Sequence, residues 1–475
     1  MARTYLSGQK MTRPGTYFKR SAIGIVTEGA INGICACIIG RCNWGPLNTV
    51  FDVDQTDMNN LDDYYGTGEG VDAIKEALLG GAQVVRVVRV GDATGACASL
   101  KLKNTAETPV DAVNLIAKYE GDRSFSVLLK TNLISEKREL QILEGTELFL
   151  SVTFEAGEDG DEAQALVDAL ANNRFFTAKK LAAGVLADID VQTPMTGGRN
   201  PAPTEGSYGN ATDLLERYKW NCVISDSDDS SVTAMLVDFV KQSYETGHLG
   251  FTCIGGLSTQ GLTDRMRSAA AINDEKIVYV LNGWRDIYGV TYEGWRAAAR
   301  IGGMIVGCEC NTSLTHLVMS NALELIDPLT NGEINRSEEK GCFVMSLNDE
   351  DQVQIDNAIT TLVTLGNNMD EGWKKIRRTK TRFELMTRVN STCDKLVGRL
   401  NNDEHGRATL ITAMNSIINE MVAEHKLFAG SYVEEDPAHK PEGDSAYFIL
   451  NIGDIDSLEK IYLDYTFSFA NPFAA

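Results

Sequence analysis

The chain has no C-x-x-C pair and no clustered Cys/His set, and its ten cysteines are scattered over 475 residues. That spacing excludes a disulfide scaffold and supplies no zinc-type ligand set, so reduced, mostly buried thiols are expected. Cys35-Ala-Cys37 and Cys308-Glu-Cys310 lie in apolar stretches, where cysteine packs as a small hydrophobe. Long hydrophobic runs are missing as well. Ile34 to Ile39, among the longest, falls far short of a membrane span, and MARTYLSGQKMTRPG has no apolar centre of a secretory leader, so a soluble cytoplasmic product without membrane insertion is expected. No Gly-Lys pair occurs, which excludes a Walker-type phosphate loop. Basic charge is in deficit: the net charge of −22 argues against general nucleic-acid binding and against an anionic membrane surface, and points to protein partners.

What is present is enough apolar sequence, 43%, for several cores in a chain of about three average domain lengths. No repeat of fixed period and no low-complexity tract is found. Residues 1–28 read as an N-terminal arm: polar and basic, with Pro14 and Gly15 turning into a short extended piece, Thr16, Tyr17 and Phe18. Residues 29–95 hold a buried strand stopped by Trp44-Gly45-Pro46, a helix over Val71 to Leu79 and a valine-rich strand over Gln83 to Val90, the first part of an α/β core. Residues 96–190 shift to alternating strands, among them Phe125 to Lys130 and Leu148 to Phe154, with one helix over Asp161 to Ala171. This reads as an inserted β-rich domain, followed by a Gly/Pro/Thr-rich linker from Thr193 to Gly209. The α/β core resumes over 191–344, where strands near 222, 251 and 277 alternate with helices at Val232 to Tyr244 and Leu262 to Ile272. Residues 345–458 read as a C-terminal α+β domain with two amphipathic helices, one through Phe383, Met386 and Leu396, the other through Leu410, Met414 and Met421. The expected class is thus α/β and α+β multidomain, with an open α/β core sheet.

Residues 459–475 form the last strand and arm. From Ile461 through Leu463, Tyr465 and Phe467 to Phe469 every odd position is apolar, and Tyr462, Asp464, Thr466 and Ser468 lie between them. Such alternation marks a strand with one buried face. It is expected to pair with Ala446 to Ile452 through a Gly453-Asp454 turn, and its other edge, uncovered, is sticky.

Few constellations carry chemistry. Gly68-Glu69-Gly70-Val71-Asp72-Ala73 fits G-x-G-x-x-A and opens a helix, but no buried strand precedes it, so a glycine helix start is the reading. Gly303-Met-Ile-Val-Gly307 is read as a close helix contact. His405 and His425 are assigned no chemistry, and no catalytic, cofactor or metal residue is assigned at all. One charge feature stands out. In WKKIRRTKTRFELMTR, residues 373 to 388, seven cations face the single Glu384. Either the protein's own acids neutralise this helix face, or it docks on an acidic protein surface.

Four stretches together carry a resemblance: Arg13-Pro14-Gly15-Thr16-Tyr17, Trp44-Gly45-Pro46-Leu47-Asn48, Asn401-Asn402-Asp403-Glu404-His405-Gly406-Arg407, and Ile455-Asp456-Ser457-Leu458-Glu459-Lys460-Ile461-Tyr462. In order and spacing the chain resembles the contractile tail sheath proteins of myophage-type phages and of phage-derived bacteriocin or injection particles. The 96–190 insertion departs most from the family pattern.

The resemblance implies a structural, non-enzymatic subunit that stacks as hexameric rings around a tail tube and contracts to drive the tube through a target envelope. Tube, baseplate and tail terminator proteins are the implied partners, and the implied place is the tail of a virion or tail-like particle assembled in the host cytoplasm. It also implies strand exchange between subunits through Pro14, Gly15, Thr16, Tyr17 and Phe18 at one end and Ile461, Leu463, Tyr465, Phe467 and Phe469 at the other. On this reading the C-terminal domain faces the tube, and Lys374, Lys375, Arg377, Arg378, Lys380 and Arg382 are its contacts. The alternative from another class is a cytoplasmic α/β enzyme that binds a nucleotide or small acid on the core sheet.

Overall fold

In the computed structural model, strand β1 (Ile34–Ile39) lies inside an eight-stranded sheet and splits its side chains between two cores. Cys35, Cys37 and Ile39 enter one, Ala36 and Ile38 the other. A strand covered on both faces reads as a continuous apolar run, and this one does. The structure describes residues 3–4, 17–18, 33–133, 135–156, 160–367, 369–465 and 467. The remaining strands of the sheet are β2 (Val50–Asp54), β3 (Val84–Arg89), β4 (Cys222–Ser225), β5 (Phe251–Gly255), β6 (Ile277–Val280), β7 (Cys342–Leu347) and β8 (Val353–Asn357). Their order is β8-β7-β6-β5-β4-β1-β3-β2, parallel within and closed at each edge by an antiparallel strand, β8 or β2.

Helices α1 (Glu69–Gly80) and α5 (Gly294–Gly307) pack on one face; α2 (Glu205–Leu215), α3 (Ser230–Glu245) and α4 (Leu262–Ile272) pack on the other. The small residues of α5 are there for a close crossing. A Cβ on Gly303 would stand 2.1 Å from the Ala77 carbonyl oxygen, and one on Gly307 would stand 2.5 Å from that of Gly81.

The five strands expected after residue 95 and two further ones, Phe176–Lys180 and Ile189–Pro194, form two sheets, one of Phe125–Thr131, Arg138–Glu144, Glu147–Phe154 and Ile189–Pro194, the other of Cys97–Lys103, Asp111–Glu120 and Phe176–Lys180. The helix Glu162–Leu170 closes their common core. Trp44, from the turn after β1, is buried in that same core, edge-on to Phe125 at 5.0 Å. Arg89 stitches the joint by donating to the Gly45 and Glu120 carbonyls at 2.8 and 2.7 Å. Strand Phe176–Lys180 was not anticipated, because its FTAKK sequence carries little apolar signal and it is held by pairing with Val113–Ala117. The expected linker is irregular over 195–204, but its ends belong to a strand, Ile189–Pro194, and to α2, whose N-cap Thr204 accepts from Ser207.

Helices α6 (Ile376–Leu396) and α7 (Glu404–Ala423) follow β8 and pack around Leu385, Val389, Met414, Ile418 and Met421. The apolar face expected for α6, from Phe383 through Met386, Cys393 and Leu396 to Val397 and Leu400, is corrected at both Met386, which is 40% exposed while Leu385 is buried instead, and the end, since the helix stops at Leu396 and Val397 is 74% exposed. The expected terminal hairpin is also corrected. Strand β10 (Phe448–Asn451) pairs antiparallel with β9 (Tyr432–Glu435), not with the residues after Lys460. Ile461–Tyr465 and Phe467 are in no strand of this chain, and Phe469 lies outside the described residues.

Candidate assembly site

The crevice where an enzyme of this architecture would bind its ligand lies at the carboxyl ends of β1 and β4, where the strand order reverses. It is filled by the chain itself. Asp226, fully buried at the end of β4, accepts the amides of Gly40 and Arg41 at 2.8 and 2.7 Å and the Tyr208 hydroxyl at 2.7 Å. Its carboxylate thus holds the place of a bound anion, and burial pushes its pKa up against these donors. The glycines of the G-x-G-x-x-A stretch serve packing. A Cβ on Gly68 would meet the Arg41 carbonyl oxygen at 2.3 Å, and the Gly70 amide donates to that same oxygen. Asp228 caps α5 by accepting the Trp295 amide at 2.6 Å, and burial raises its pKa to about 6.

The basic run forms the start of α6, and the structure does not present it as an open cationic face. Lys380 is almost wholly buried and donates to the Ile305 and Cys308 carbonyls, both at 2.6 Å. Arg377 is buried and donates to the Ile455 carbonyl at 2.7 Å. Arg378 forms a two-pronged pair with Asp454 at 2.6 and 2.7 Å, and Lys375 reaches Asp456 at 2.8 Å and Glu459 at 2.7 Å. Arg382 pairs with Glu275 at 2.6 Å and lies over the Trp373 ring; Lys374 pairs with Glu371 at 2.7 Å. Of the two readings of this run, neutralisation within the chain is what the fold displays: the chain's own acids and carbonyls take up these six cations. Composition revealed the run but not its partners, which are up to 107 residues away.

Further along α6 lies a buried charged cluster that the sequence reading did not find. Glu384 accepts from Lys426 at 2.8 Å, from Arg388 and from the Cys310 thiol at 2.6 Å. Burial, then the Glu384 carboxylate, pushes that thiol up to about 12. A lone Glu among seven cations was the available signal.

At the chain ends, Tyr17 and Phe18 form a two-residue strand parallel to Arg3–Thr4, while Pro14, Gly15 and Thr16 lie outside the described residues. At the other end Ile461, Leu463, Tyr465 and Phe467 are 69 to 90% exposed. Tyr462, between them, is also 90% exposed, so among the described residues no surface covers either side. The β9–β10 pair packs against α7 through Val433, whose amide donates to the Asn415 side chain at 3.0 Å, and among the described residues no third strand joins the outer edge of β10.

Residues 202–361 match the family model for the phage tail sheath protein central domain. No curated protein matches the sequence. The fold is similar to the crystal structure of a sheath tail protein from Desulfitobacterium hafniense, with a TM-score of 0.71 at 18% identity over 95% of this chain and 99% of that one. It is similar to a sheath tail protein from Listeria innocua at TM-score 0.67 and 15% identity, over 88% and 94% of the two chains. The helical sheath of the anti-feeding prophage in its contracted state aligns at TM-score 0.55 and 9% identity, over 96% of this chain and 99% of that one. These findings bear out the sheath-protein resemblance and the mixed α/β multidomain class. All of these relatives are structural sheath proteins.

Proposed function

We propose that this chain is the structural subunit of a contractile tail sheath, stacking as hexameric rings around a tail tube and contracting to drive the tube through a target envelope. The match of residues 202–361 to a sheath central domain carries the reading, and the likeness of nearly the whole chain to a contracted sheath supports it. Tube, baseplate and terminator proteins are its partners, in a tail or tail-like particle assembled in the host cytoplasm. The exposed apolar C-terminal extension and the outer edge of β10 are complementary needs. A neighbour's strand, from the Thr16–Phe18 region or from Ile461–Phe469, would satisfy both, at about 1 kcal/mol net per backbone bond. Tube contact by Lys374 to Arg382 requires these cations to share or exchange their present partners. The nucleotide-binding alternative loses its site to Asp226.

Negative-stain microscopy of the purified protein, alone and co-expressed with its tube, tests the proposal. Striated tubes of regular width are expected. A monodisperse monomer that binds a nucleotide tightly would overturn it.

A further inference from the structure

Helix α6 breaks a local rule. Its N-cap is Lys375, its first turn holds Arg377 and Arg378, and no acidic residue lies in that turn. Cations at a helix N-terminus oppose the positive end of the macrodipole. A local rule broken without local compensation points to a compensation elsewhere.

That compensation is the segment Asp454–Glu459. Arg378 grips Asp454 with two parallel bonds, Lys375 bridges Asp456 and Glu459, and Arg377 holds the Ile455 carbonyl. Ser313 Oγ donates to Glu459 at 2.9 Å, tying the segment to the central region as well. The backbone holds only the first residues of the segment: around an isolated antiparallel bridge between Leu427 and Asp454, the Phe428 amide donates to the Gly453 carbonyl at 2.7 Å and the Ile455 amide to the Lys426 carbonyl at 3.1 Å, and residues 455 to 460 are in no strand or bridge. The paired carboxylates are covered although Leu458 between them is 81% exposed. Asp454 and Glu459 side chains are 16 and 12% exposed, whereas Ile461 is 69% exposed.

We infer that the basic start of α6 is a clasp for the root of the C-terminal extension, and that these side-chain ion pairs set the direction in which the extension leaves its subunit. The inference rests on the sheath reading for its consequence: exit direction selects which neighbouring sheet the extension reaches. It also gives three cations of the run, Lys375, Arg377 and Arg378, a role inside the subunit. A strand that pairs with its own chain is steered by the ladder; among the described residues this one has no pairing at home beyond the single bridge at Asp454, so the clasp takes over the steering.

The test is charge reversal and exchange. Arg378→Glu is expected to raise amide hydrogen exchange across residues 453–460 by about tenfold, leave exchange in the core strands unchanged, and abolish regular tubes. Adding Asp454→Arg is expected to restore both protection and tubes. If Arg378→Glu does not fold, Lys375→Gln removes the second anchor more gently and is expected to raise exchange over 456–460. Unchanged exchange in the reversed variant would overturn the clasp; raised exchange with tubes of unaltered geometry would overturn its steering role. Wild-type protein that forms no tubes would instead count against the sheath reading, and the exchange measurement would still decide whether the clasp exists.

Discussion

Arg300 Nε donates to Glu76 Oε2 at 2.9 Å across the crossing of α5 and α1, joining two buried side chains 224 residues apart in sequence. Burial raises the Glu76 pKa even with Arg300 beside it, so the pair stands in a poorly solvated place. Replacing Arg300 by Ala leaves that carboxylate without its main partner. The expected cost is about 3 kcal/mol, the low end for breaking a buried pair, since Arg296 remains 3.6 Å away. Replacing both members by Met is expected to recover most of it, as read from urea unfolding midpoints.

Gly303→Ala pits two effects against each other. Helix propensity favours Ala by about 1 kcal/mol, but the new Cβ meets the Ala77 carbonyl at 2.1 Å, a backbone atom that cannot rotate away. Overpacking of about 1–3 kcal/mol should win, so a lowered Tm is expected. A raised Tm would show that α1 and α5 separate easily.

Asp226→Ala removes the acceptor of two amides and one hydroxyl in a buried place. With unsatisfied buried donors costing about 1–3 kcal/mol each, a loss of at least about 3 kcal/mol is expected in chemical denaturation. Asp226→Asn keeps part of the acceptor set and should lose less.

The clasp carboxylates make the extension's root acid-sensitive. Burial pushes the Asp454 and Glu459 carboxyls up, yet Arg378 and Lys375 respectively outweigh it and hold both below the usual range. A depressed folded pKa stabilises above the unfolded value, about 4, and that stabilisation is lost as pH falls through the folded value. Exchange over 453–460 should therefore stay slow from neutral pH to about pH 4 and quicken below it, after correction for intrinsic rates. In Asp454→Asn the remaining acid dependence should be that of Glu459.

Deleting residues 1–20, or those after Ile461, should leave the core sheet folded and prevent tube formation. Circular dichroism and microscopy on the same samples separate the two effects. Tubes that form without either end would remove the strand-exchange proposal.

Legibility of the fold followed the locality of the signal. Phe125, Val127 and Leu129 alternate into the core and their strand was readable, because its buried face is written at period two. Leu262–Ile272 was readable at helical spacing. Phe176–Lys180 was not, since only its ladder with residues 113–117 makes it a strand. The candidate site was less legible. The basic run and the alternating tail were both visible as patterns, but pairing β10 with the tail was wrong, because an alternating pattern does not name its partner.

The sequence by itself determined the element types, the parallel core, the exclusion of phosphate-loop chemistry and the presence of two unusual features, a cationic helix start and an apolar alternating tail. Only the tertiary structure decided that Asp226 fills the core crevice, that Arg378 holds Asp454, and that the tail finds no covering surface among the described residues. Periodicity and composition are properties of neighbouring residues. Which carboxylate meets which cation across 76 residues depends on how the helices and sheet bring distant segments within 3 Å.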